Sequence, residues 1–155
     1  MADFAPPQLN LPPYPFRIKL EGGKHFIFDE LRKKFLVLTP EEWVRQHFIQ
    51  FLILNKKYPK TLIQIEAGLK INKLQKRTDV VVFDRNAARF MLIECKAPQV
   101  KIDQSVFDQA ARYNSVHQVE YLVVTNGIQH YVAKIDHITK EFNFLDDLPE
   151  FQTLL

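Results

Sequence analysis

The sequence predicts a mixed α/β domain, and three features carry that prediction. A helix-start signal stands at Thr39-Pro40. Two adjoining β-rich runs, Thr78 to Asp84 and Phe90 to Lys96, are separated only by Arg85-Asn86-Ala87-Ala88. A second amphipathic stretch, from Asp103, leads into the strand-like Glu120 to Thr125. The resulting order is helix, three strands, helix, strand. With 155 residues, 46% of them apolar, the chain is long enough to bury one core. The domain is expected over residues 24–155, behind an extended proline-rich arm at 1–23 that Leu9, Leu11, Tyr14 and Phe16 can tether.

Each element has a local reason. Lys24 to Asp29 and Lys33 to Leu38 are short β-prone runs joined by Glu30-Leu31-Arg32, a small hairpin. Thr39 is an N-cap residue, Pro40 suits the first helical position, and Glu42 completes a capping box, so a helix should run from Pro40 to about Asn55. It should bury Val44, Phe48, Phe51 and Leu52 and end before Tyr58-Pro59. Leu62 to Ile71 alternates as a strand, and Asn72 to Arg77 turns into the next hairpin. Asp103 can cap a helix reaching about His117, with Ile102, Val106, Tyr113 and Val116 at helical spacing and Gln109 on the same stripe. Asn126-Gly127 signals a turn between Glu120–Thr125 and Gln129–Ile135. A last strand at Glu141 to Leu145 and a short C-terminal turn or helix close the chain.

The central hairpin carries the chemistry. If its turn is centred between Asn86 and Ala87, antiparallel pairing sets Asp79 opposite Glu94, with Lys96 on the same face and Cys95 on the other. Opposed carboxylates repel unless one is protonated or a cation lies between them. A hard cation such as Mg²⁺ takes oxygen ligands, often only one or two protein carboxylates, and completes its shell with water and phosphate oxygens. An ammonium one pleat further could orient a metal-bound water or neutralise charge on a phosphate under attack. Phosphodiester hydrolysis is the chemistry implied. Glu94 and Lys96 alone would read as ordinary surface charges of a strand; Asp79 across from them changes the reading.

Composition narrows the field. A net charge of +3 permits a polyanionic partner without identifying one. One cysteine rules out an internal disulfide and a multi-cysteine zinc site, and suits a reducing, cytoplasmic setting. The N-terminal segment has no basic, apolar leader pattern, and no membrane segment stands out. The five histidines show no metal-ligand spacing, and Cys95 reads as a small core residue rather than a nucleophile. Trp43 and the thirteen phenylalanines read as core, since a base-stacking platform needs exposed aromatics interleaved with basic residues and no such interleaving stands out.

Five segments in order, LTPEEWVRQ (Leu38 to Gln46), KRTDVVVFD (Lys76 to Asp84), LIECKAP (Leu92 to Pro98), DQAARYN (Asp108 to Asn114) and VVTNG (Val123 to Gly127), resemble the PD-(D/E)XK nucleases. Within that group they resemble the N-terminal nuclease domain of type I restriction enzyme R subunits and its stand-alone bacterial relatives, over roughly residues 8 to 147. The resemblance implies a restriction endonuclease-like three-layer core, a central mixed sheet flanked by helices, with the N-terminal hairpin added. It implies a metal-dependent endodeoxyribonuclease in which Asp79 and Glu94 bind Mg²⁺ with the Cys95 backbone carbonyl, Mn²⁺ being a substitute, while Lys96 attends the attacking water. Thr78 replaces the family's proline, which shapes backbone rather than binding metal. No phosphate-cradling Gly-rich loop is present, so ATP-driven movement is expected from a separate translocase or restriction-system subunit acting beside the DNA substrate.

Further residues carry two readings each. Glu42 matches an acidic residue on the first helix of many of these nucleases, and its capping-box position explains it equally well. Gln109 and Tyr113 match the family's Q-x-x-x-Y helix and would share one helical face, near the nucleic-acid backbone or Lys96. A glutamine buried on an apolar stripe would cost on the order of 1–3 kcal/mol if unpartnered, which favours a functional role. Lys73, Lys76, Arg77 and Arg112 are candidates for phosphate neutralisation, or plain surface charge. The alternative to an enzyme is a module that binds DNA or protein without cutting, or an accessory subunit of a restriction or defence complex. Monomer and homodimer, and DNA against RNA, stay open.

Overall fold

The computed structural model describes residues 6–67, 78–114 and 119–154, without the side chains of residues 66, 67, 78, 79, 113, 114, 153 and 154. Its strands are β1 (Ile18–Glu21), β2 (Lys24–Asp29), β3 (Lys34–Val37), β4 (Ile63–Ala67), β5 (Thr78–Phe83), β6 (Arg89–Cys95), β7 (Tyr121–Thr125), β8 (His130–Ile135) and β9 (Phe142–Leu145). Two helices, α1 (Pro40–Leu54) and α2 (Gln104–Asn114), separate β3 from β4 and β6 from β7. Short 3-10 turns cover Lys60–Leu62 and Phe151–Leu154.

Strands β4 to β9 form one sheet in chain order, antiparallel throughout except for β6 and β7, which run parallel. A parallel pair needs a crossover, and α2 supplies it. The two sheet faces bury different clusters. Val44, Phe48, Ile49 and Leu52 of α1 pack with Val80, Val82, Met91, Ile93 and Cys95. Phe107 and Ala110 of α2 pack with Val81, Leu92, Leu122 and Val124 on the other side. Alternation along β5, β6 and β7 thus separates the layers, and the result is the expected helix–sheet–helix core.

The caps and the turn form as anticipated, except that the Glu42 carboxylate, expected to close a capping box, bonds Arg45 and Gln46 instead. Thr39 Oγ1 accepts from Glu42 N at 3.0 Å with Pro40 in the first turn, and Asp103 Oδ1 accepts from Val106 N at 3.0 Å to start α2. Asn126 Oδ1 accepts from the backbone amides of Ile128 and Gln129, and Gly127 adopts φ +85° between β7 and β8. Gly127 has a second constraint: a Cβ there would lie 2.8 Å from Leu9 Cδ2, where the N-terminal segment crosses the turn.

The N-terminal region differs from the arm expected at 1–23. β1 lies inside it and pairs with β2, so the small hairpin is a three-stranded antiparallel sheet, β1–β2–β3. Residues ahead of β1 are docked: Leu9 is buried, Asn10 N donates to Gly127 O at 2.8 Å, and Phe16 packs on Trp43 and His47. Trp43 itself is only half-buried, its Nε1 donating to Pro7 O at 3.1 Å.

The interior face of α1 was expected to be apolar, yet Glu42, Arg45, Gln46, His47 and Gln50 are all buried. Buried polar groups need partners, and those of Glu42, Arg45 and Gln46 come largely from the helix itself. Arg45 Nη1 meets Glu42 Oε1 at 2.8 Å, Arg45 Nη2 meets Glu41 Oε1 at 3.0 Å, and Gln46 Nε2 donates to Glu42 Oε2 at 2.9 Å. Gln46 also contacts Asp29 of β2, whose carboxylate takes Arg32 Nε at 2.8 Å. Burial would raise the Asp29 carboxyl, but hydrogen bonds from the Arg32 backbone and side chain, the Arg32 charge and Gln46 outweigh it and hold it below the usual range. Burial would likewise lower the Arg45 guanidinium, while Cys95, Glu42 and Glu41 stabilise its charge and leave it raised.

Candidate active site

The β5–β6 hairpin is built by its own turn. Asp84 Oδ1 accepts from the amides of Asn86 and Ala88, and Ala87 takes the left-handed conformation, φ 63°. Val80 pairs with Ile93, Val81 with Leu92 and Val82 with Met91, the register expected from a turn centred between Asn86 and Ala87. A bulge between Val82 and Phe83 then shifts the pairing to Phe83 with Arg89, beside the turn and away from the acidic end. One more step of the same register sets residue 79 against residue 94.

Glu94 stands at the C-terminal end of β6, 2% exposed, on the sheet face that Leu92 and Val124 line beneath α2. Cys95 faces the opposite cluster, near Arg45. Lys96 follows the strand with its side chain 28% exposed and its Nζ 3.3 Å from Glu94 Oε1. The carboxylate is thus inside and the ammonium at the rim. The position of Asp79 in β5 is fixed by its Cα pairing with Glu66 of β4, but its side chain lies outside the described residues. Among the described residues no group of three or more His, Cys, Asp or Glu side chains could hold a metal ion.

The segment after Lys96 is fastened by the β7–β8 turn. Lys96 N donates to Thr125 O at 2.7 Å, and Asn126 Nδ2 donates to Val100 O at 2.8 Å. Thr125 Oγ1 accepts from Gly127 N at 3.0 Å and lies 2.6 Å from His130 Nδ1, while His130 Nε2 lies 3.0 Å from Asn10 O. A neutral ring protonated at Nε2 satisfies all of these: it donates to the Asn10 carbonyl and accepts from the Thr125 hydroxyl. Burial lowers the His130 pKa, against the raising pull of the Asn10 carbonyl and Asp147. The Thr-Asn-Gly turn therefore ties the N-terminal segment and the Lys96–Val100 loop to the same strand end.

The other residues singled out from the sequence fall in different places. Glu42 lies on α1, the helix covering the opposite sheet face, with both carboxylate oxygens engaged by Arg45 and Gln46. Gln109 is exposed, which corrects its expected burial: the inward stripe of α2 is set by Phe107 and Ala110, one position further along, so the cost of a buried amide does not arise. Arg112 is exposed in the last turn of α2, and Tyr113 belongs to that turn with its side chain outside the described residues. Lys73, Lys76 and Arg77 lie outside the described residues.

One further acidic residue of the sheet was not singled out from the sequence. Glu66 of β4 is the Cα partner of Asp79. The signal was the Ile-Gln-Ile-Glu alternation, but fixing its register needs the pairing of β4 with β5, which no tight turn dictates.

Among known proteins, the family model described as type I restriction enzyme R protein N terminus (HSDR_N) matches residues 40–149, from the start of α1 to beyond β9. No curated protein and no solved structure matches the chain. Among the described residues, no helix is long and apolar enough to cross a membrane.

Proposed function

The chain belongs to the family of type I restriction enzyme R protein N-termini, and from that premise we propose that it is a metal-dependent endodeoxyribonuclease using Asp79, Glu94 and Lys96. The observation carrying this reading is the buried Glu94 carboxylate with the Lys96 ammonium 3.3 Å away at the end of β6. The donor set fits a hard cation: a carboxylate, a second acidic residue one step beyond the Val80–Ile93 pair, and the Cys95 backbone carbonyl, the thiol being turned to the other face. Mg²⁺, or Mn²⁺ in its place, would supply Lewis-acid polarisation of the phosphate and a water of lowered pKa.

The chain's own residues have separable tasks in this reading. Glu94 supplies fixed negative charge in a poorly solvated position, where a counter-charge is worth more than in water. Lys96, at the rim, neutralises charge developing on the phosphate and holds the attacking water by hydrogen bonding. The Thr125 and Asn126 contacts keep the Lys96 backbone still while its side chain reaches solvent. DNA is the proposed substrate, with a separate translocase or restriction-system subunit as partner. Glu42, neutralised by Arg45 and Gln46, is assigned to holding α1 rather than to catalysis.

A second reading has its own support: the Glu94–Lys96 pair balances its charge without a cation, as a non-cleaving DNA-binding module would require. Incubating the protein with supercoiled plasmid and linear duplex in Mg²⁺, Mn²⁺ or EDTA separates the two. Nicking that needs metal and disappears in Lys96→Ala supports the enzyme. Retardation on a gel without cleavage in any metal supports the module.

A further inference from the structure

We infer that the outer face of the β1–β2–β3 sheet is a binding platform for single-stranded nucleic acid, built from Phe26, Phe28 and Phe35 with Arg17 and Lys19. The register produces it. Lys19 is the Cα partner of Phe26, Phe28 is the partner of Phe35, and Phe28 N donates to Arg17 O at 2.9 Å, so these five residues alternate onto one face. The other face carries Ile27 and Asp29, both fully buried, and Asp29 reaches Gln46 of α1. The phenylalanine face is therefore directed away from the body of the protein. All three rings are half-buried, whereas Arg17 and Lys19 are exposed.

The cations already engage the rings. The Arg17 guanidinium carbon lies 3.7 Å from the Phe28 centroid, and Lys19 Nζ lies 4.4 Å from that of Phe35 and 5.7 Å from that of Phe26. Phe28 and Phe35 meet edge to face at 5.2 Å. This is the interleaving of aromatic and basic residues that the linear sequence conceals, because the five come from three strands. Rings two residues apart on one strand stand about 7 Å apart, roughly twice the ~3.4 Å rise of stacked bases, which suits the splayed bases of a single strand rather than a duplex.

Charge selects the same partner. Residues 17–37 hold six basic side chains, Arg17, Lys19, Lys24, Arg32, Lys33 and Lys34, against Glu21, Asp29 and Glu30. That surplus of three equals the net charge of the whole chain, +3. The one acidic group seen on the platform cations, Glu21 at 2.9 Å from Lys19, is exposed and exchangeable for phosphate. The sheet also lies outside residues 40–149, the stretch matched by the family, and this proposal does not depend on the nuclease reading.

The test is fluorescence anisotropy with a labelled oligothymidylate of about 15 nucleotides, a length within the site sizes such surfaces occupy, in EDTA so that cleavage plays no part. Phe35→Leu, which keeps apolar volume and removes the π face, should weaken binding at least fivefold. Lys19→Gln should weaken it and reduce the dependence of log Kd on log salt by about 0.7, while Lys140→Gln should bind as the parent does. Ultraviolet crosslinking of the unmutated protein gives an answer that does not depend on any variant folding: the attached peptide should fall within residues 17–37. Crosslinks elsewhere, unaltered affinity of folded Phe35→Leu, or equal competition by duplex or by polyglutamate would each overturn the proposal.

Discussion

Glu42 and Glu94 are both buried carboxylates, on opposite sides of one sheet, and they are neutralised in different ways. Glu42 has a guanidinium and an amide from its own helix, three and four residues along, each bonded to a different oxygen. Glu94 has a lysine two residues on, just past the end of its strand, at 3.3 Å, with that side chain partly in solvent. The first arrangement is closed: both Glu42 oxygens are engaged by groups of its own helix. The second leaves its cation at the surface, where it can be shared with a ligand. Burial alone therefore does not distinguish the two acids; the exposure of the partner does.

The largest test of that contrast is catalytic. Lys96→Ala should lower metal-dependent plasmid nicking by at least about 10²-fold, the loss typical of removing one charge-stabilising group, while the folded circular dichroism spectrum persists. Equal loss in Glu42→Gln at unchanged stability would dissolve the distinction.

Next comes stability. Arg45→Met should destabilise the protein by about 3 kcal/mol in urea unfolding, because Glu42 is left buried without its guanidinium, and Glu42→Gln in the same chain should recover much of that. If Arg45→Met costs nothing, the network is not holding α1.

Smaller effects sharpen the comparison. At Mg²⁺ about tenfold above its Kd the melting temperature should rise by a few degrees, since such binding contributes roughly 1.4 kcal/mol. Asp79→Asn should abolish the rise, and Glu42→Gln should keep it. Burial holds both His130 and His47 below their ordinary pKa, with backbone carbonyls only partly opposing. The unfolded chain then binds more protons than the folded one as pH falls below about 6.5. Stability should be full above that pH and decline toward the lowered folded values, with a shallower decline in His130→Gln measured by thermal melts. Smallest is Gln109→Ala: an exposed position should change stability by no more than about 0.5 kcal/mol, so any loss of cleavage there reports function alone.

What the sequence determined by itself is whatever a few neighbouring residues decide. The Thr39–Pro40–Glu42 start, the Asp103 cap and the Asn126-Gly127 turn are satisfied within three residues or fewer. The register of β5 on β6 from Val80–Ile93 to Val82–Met91 follows from the Asp84–Ala88 turn and could be read in advance; the bulge at Val82 and Phe83 could not. Tertiary structure alone decided that β1 joins β2, that Gln46 of α1 reaches Asp29 of β2, that Glu66 lines up with Asp79, that α2 turns Gln109 outward, and that three phenylalanines with two cations share a surface. Each joins segments distant in sequence or chooses between faces. Periodicity reports only that a strand or helix has two sides; which side is buried depends on what packs against it.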